Sequence, residues 1–125
     1  QKGGDYMDKL TKDAKFLLSS MYVKYNERRK DKISKEESRN FEDIQFIKEN
    51  IMNEWSEEDV LDTCFELRKH GYISATAASD TLYLISLTTE AIAELEKQDQ
   101  AKTLSGRIEY WLEFAKKIKD AIPFA

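Results

Sequence analysis

Apolar residues return every three or four positions through Leu10, Ala14, Leu17, Leu18, Met21, Tyr22 and Tyr25, and predict one long helix over about residues 9–30. Thr11 or Asp8 suits its start as a cap. Ser34-Lys35-Glu36-Glu37 has the S-x-x-E form of a capping box and predicts a short helix to about Phe41. Phe41, Ile44, Ile47 and Ile51 then carry an apolar face to about Asn53, as one helix or as two. The clearest local signal is Trp55-Ser56-Glu57-Glu58-Asp59-Val60. Ser56 stands at an N-cap, acids fill the first turn, and Trp55 is placed to pack on Val60 as a hydrophobic staple. A helix over 56–70 follows, with Val60, Leu61, Cys64, Phe65 and Leu67 inward and Gly71 at the left-handed position after its last turn.

Residues 72–76 and 81–87 are rich in strand formers, and 77–80 separates them as a turn, so a two-stranded hairpin is expected. Tyr72 and Tyr83 are assigned to its core side. A helix restarts at Thr88 or Thr89 and runs to about Leu95. After a polar gap, Leu104, Ile108, Trp111, Ala115, Ile118 and Ile122 recur in steps of 4, 3, 4, 3 and 4, a heptad seam that Pro123 ends. The seam predicts a homodimer contact anchored by Trp111, with docking on helix 9–30 of the same chain as the alternative. Residues 1–8 are read as a tail outside the fold.

The order of elements, with a helix running straight into a hairpin, resembles a winged helix-turn-helix domain over about residues 10–97. The resemblance rests on Arg68-Lys69-His70-Gly71-Tyr72-Ile73 at the end of the third helix, and on Leu87-Thr88-Thr89-Glu90-Ala91 after the wing. It implies a mainly α fold with a small two-stranded hairpin; the additional C-terminal helix falls outside the resemblance. It makes helix 56–70 the recognition helix and 77–80 the wing tip. It also implies a DNA-associated regulatory protein, with double-stranded DNA as partner.

Composition and charge alter this picture. The chain has 125 residues, 35% of them charged, one Cys, one His and a formal charge of −4. That length suits a single domain, the lone Cys permits no internal disulfide, and no apolar run has the length of a membrane span. A cytoplasmic protein follows as the expectation. No Gly-rich phosphate loop, nucleophile elbow or metal-ligand spacing is present, so no enzyme, metal or cofactor is expected. The small net charge hides a polarised chain: residues 1–35 carry +5, residues 36–66 carry −9, and the rest balances. Two solvated faces that attract each other would account for this, and so would partner binding.

The basic cluster Arg28, Arg29, Lys30, Lys32, Lys35 and Arg39 is the candidate set of phosphate contacts. The expected solvent face of helix 56–70 is Glu57, Glu58, Asp59, Asp62, Thr63, Glu66 and Lys69, an acidic surface where DNA would bring more negative charge. The alternative expectation is therefore a protein–protein interaction module. It would use the acidic helix 56–70 against a basic partner, or the C-terminal helix against a partner helix. Cys64 is read as a buried inert thiol.

Overall fold

Thr11 opens the first helix, as its side chain suggests, accepting from the Ala14 amide. The structure, a computed structural model, describes residues 9–99 and the single position 116. The elements run α1 (Lys12–Lys30), α2 (Lys35–Arg39), β1 (Asn40–Glu42), α3 (Ile44–Asn50), α4 (Glu57–Lys69), β2 (Ile73–Ala78), β3 (Thr81–Leu87) and α5 (Thr89–Asp99). The fold is mostly helical with a small three-stranded antiparallel sheet in the order β1-β3-β2. The sheet thus has one strand more than the expected hairpin.

That extra strand answers whether 34–53 is one helix or two. Ser34 caps α2 by accepting from the Glu37 amide, and its hydroxyl donates to the Glu37 carboxylate at 3.2 Å. After Arg39 the chain turns extended for three residues and adds to the edge of β3. Phe41 goes fully into the core while Asn40 and Glu42 stay outside. The Asn40 side chain then accepts from the Glu42 amide at 2.9 Å, Glu42 takes a left-handed φ of 61°, and Asp43 caps α3.

α1 ends without a glycine. The Lys32 amide donates to Arg29 O and the Ile33 amide to Arg28 O, the paired bonds of a Schellman motif. Lys32 therefore sits at φ 67°, where a side chain is strained. α4 closes the same way at the expected residue: Gly71 has φ 81°, its amide donates to Arg68 O, and the Tyr72 amide donates to Leu67 O.

The hairpin differs from its expectation in two respects. β2 extends through Ala77 and Ala78, whose weak strand propensity hides them, so the turn shrinks from 77–80 to Ser79-Asp80. Both residues have positive φ, 52° and 64°, as a two-residue type I′ turn requires. A bulge also interrupts β3 at Leu84, which takes φ 55°. Strict alternation would set Leu82 and Leu84 on one face and Ile85 and Leu87 on the other. The extra residue shifts the phase, so Leu82, Ile85 and Leu87 are all buried. Tyr83, expected on the core side, is left 43% exposed, and Leu84 73% exposed.

α1 packs on α2 and α4, α4 on α3 and β2, and α3 on β1 and β3. One cluster of buried side chains joins them, including Leu17, Leu18, Met21, Phe41, Ile47, Val60, Leu67, Ile85 and Leu95. Each such residue contributes about 1.5–3 kcal/mol by leaving water. Trp55 is buried before α4 and meets the Phe16 ring of α1 at 5.9 Å. No helix among the described residues is long and apolar enough to cross a membrane. The seam residues Leu104, Ile108, Trp111, Ala115 and Ile118 lie outside the described residues.

A candidate binding surface on helix α4 and the hairpin

Ser56 fixes the start of α4 by accepting from the Asp59 amide at 3.1 Å, and this sets which residues face outward. Val60, Cys64 and Leu67 are fully buried. Thr63, expected on the solvent face, is buried as well: its hydroxyl donates to Asp59 O at 2.8 Å, which satisfies it on the core side. Phe65, expected inward, is 39% exposed. Glu58, Asp62, Phe65 and Lys69 follow one another in steps of four, three and four, and all are exposed, so they form the outer stripe of α4. Glu57 and Asp59 are exposed beside it.

Glu66 has a different task. Its carboxylate accepts from both the amide and the hydroxyl of Thr11, at 2.8 and 2.7 Å, and so anchors the start of α1 to α4. This contact brings Asp59, Asp62 and Glu66 up to Asp13 in the first turn of α1. The Asp13 carboxyl is pushed above its usual range, first by burial and then by Asp59, Glu66 and Asp62. The α1 dipole favours a negative charge there, but burial and crowding outweigh it.

A carboxyl raised in the folded state penalises its charged form there, so folding gains stability as pH falls through the folded value. Asp13→Asn is therefore expected to raise Tm at pH 7. The gain should vanish in acid, where the parent carboxyl is neutral too. Thermal unfolding across pH 3–7 checks it, and a variant no more stable at neutral pH than the parent contradicts it.

The six basic candidates divide into distinct environments. The Arg28 guanidinium donates to the carbonyls of Glu37, Ser38 and Asn40 at 3.3, 3.2 and 2.7 Å and lies over the Phe41 ring at 4.9 Å. Burial lowers it from its ordinary value, against the pull of Glu42. Arg29 donates to Ile33 O at 2.7 Å. Lys30, Lys32 and Lys35 are exposed and Arg39 is half-buried. The cluster stands at the C-terminal end of α1, whereas Glu66 grips its N-terminal end. A helix of 19 residues is about 28 Å long, so the cations and the acidic edge of α4 are well apart.

The hairpin adds apolar surface and no cation. Residues 57–87 hold six acidic side chains and two basic ones, and of those two Arg68 donates through Nε to Ala75 O at 3.2 Å. Asp80 adds its charge at the hairpin tip. Phe65, Tyr83 and Leu84 are the large apolar side chains left exposed among the described residues. Alternation could not find Leu84, because only the bulge turns it out. His70 stacks on Tyr72 with centroids 6.4 Å apart. Cys64 is sealed inside, and burial pushes its thiol up to about 12. Among the described residues no group of three or more His, Cys, Asp or Glu is placed to hold a metal ion. Compared with family models, curated proteins and solved structures, the chain has no match.

Proposed function

We propose that the chain is a non-enzymatic winged-helix-type module that binds a basic protein partner through the outer stripe of α4 and the hairpin. The observation that carries this is the sign of the surface: six acids against two bases over residues 57–87, with no cation on the hairpin. Phosphates would be repelled there. A Lys/Arg-bearing polypeptide would be drawn in, and Phe65 gives it an apolar anchor. The order of elements, with α3 and α4 running into β2 and β3, supports the winged-helix reading. The strand β1 then braces the wing from its far edge.

A DNA-associated regulatory role is the second reading. It is favoured by the exposed Lys30, Lys32 and Lys35 at the other end of α1. Duplex DNA held there would be positioned without its bases being read.

The two readings separate in one experiment. Fluorescence anisotropy at low salt compares a mixed-sequence DNA duplex with a synthetic Lys/Arg-rich peptide carrying Leu and Phe. The peptide should bind, weaken as salt screens the charges, and lose about tenfold in affinity when Glu58 and Asp62 are both replaced by Lys. The DNA should show no affinity at low salt. Tight DNA binding by the parent, or peptide binding indifferent to the double replacement, overturns the protein-binding reading.

A further inference from the structure

Away from the α4 surface, α1, α2 and α5 line a half-open cleft of about 170 Å³. Tyr25 of α1 and Ile92 of α5 line it, and both are nearly buried, so its floor is apolar. Lys35 and Arg39 of α2 line another side. They are four residues apart and so share one face of α2. Arg28 and Arg29 are taken up by backbone carbonyls, but the side chains of Lys35 and Arg39 make no hydrogen bond or ion pair with any described residue. Thr89 contributes a hydroxyl, and Glu96 is the one acid in the lining. Two cations against one carboxylate leave the cleft net positive.

These features select a ligand. The volume lies below the roughly 300–1,000 Å³ of drug-sized pockets, and close to the ~150 Å³ that holds one benzene ring in an engineered cavity. A guanidinium matches a carboxylate with two parallel hydrogen bonds, and an ammonium beside it adds charge. Inorganic phosphate would use the cations and leave the floor uncovered.

We infer that this cleft binds a small monocarboxylate whose apolar body is about one ring in size, with its carboxylate on Lys35 and Arg39 and its body on Tyr25 and Ile92. This site is independent of the protein-binding surface. It also gives two of the six clustered cations a purpose other than phosphate contact.

Sodium benzoate is the probe, titrated into the whole chain at constant ionic strength and followed by amide chemical shifts. Saturable shifts at residues 35–39 and 89–96 are expected, with a dissociation constant of about 1 mM. Arg39→Gln should weaken binding about tenfold. Ala93→Leu fills the rim from an exposed position, so the chain should stay folded and lose the shifts. Benzyl alcohol, which keeps the ring and drops the charge, and inorganic phosphate, which does the reverse, should each bind at least about tenfold more weakly. The inference is overturned by any of three results: no saturable shift well above that concentration, equal binding by both variants, or equal binding of either control compound.

Discussion

Phe41→Ala should cost the fold about 3–5 kcal/mol, the range for truncating a buried aromatic ring. A domain of this kind holds only about 5–15 kcal/mol in total, so the variant should stand near the edge of unfolding at room temperature. The reason is local as well as general. Phe41 is the only buried residue of β1, so no other side chain of that strand enters the core. The ring also carries the Arg28 guanidinium on its face. Urea denaturation would show the midpoint collapse, and Phe41→Leu should recover more than half of the loss by refilling most of the volume. A loss under about 1 kcal/mol would mean that the strand is held by its ladder to β3 and not by its side chain.

Arg28→Ala is expected to cost about 2–3 kcal/mol, from hydrogen bonds made by a charged donor together with the contact to Phe41. One guanidinium nitrogen serves three carbonyls that belong to the end of α2 and the start of β1. Removing it should loosen the junction, and hydrogen exchange at the β1 amides should quicken more than exchange in α4. Arg28→Lys should recover less than half, since an ammonium is a compact charge without the planar fork. The double variant with Phe41→Ala should cost less than the two losses added, because each change removes the same cation–ring contact. A residue serving only as a phosphate contact would leave stability unchanged on removal, so this measurement also weighs against placing Arg28 in a DNA interface.

Helix ends were the most legible part of this chain. Thr11, Ser34, Ser56 and Gly71 all act where their chemistry suggests, because capping is decided within four or five residues. What the sequence hid depends on distant partners. Asn40-Phe41-Glu42 is too short to show a period, and its pairing residues are more than forty positions away. Leu84 breaks alternation only because β3 must bury Leu82, Ile85 and Leu87 together. On the surface of α4, the acids were legible as a charge but not in their tasks. Glu66 binds Thr11, fifty-five residues earlier, and Thr63 turns inward once its hydroxyl finds Asp59 O. By its spacing in the sequence the basic cluster is one patch. In the fold it separates into two arginines held by carbonyls, exposed lysines, and a pair facing a cleft.

The burial of Cys64 has a practical side. It is the chain's sole cysteine, has no solvent exposure, and its thiol stays protonated at neutral pH. Thiol reagents act on the thiolate, so the native protein is silent toward them without any cysteine being removed. A single cysteine placed on the outer stripe of α4, on the hairpin tip or at the rim of the cleft would then be the one position to take a spin label or fluorophore. The molecule arrives prepared for site-by-site distance measurement.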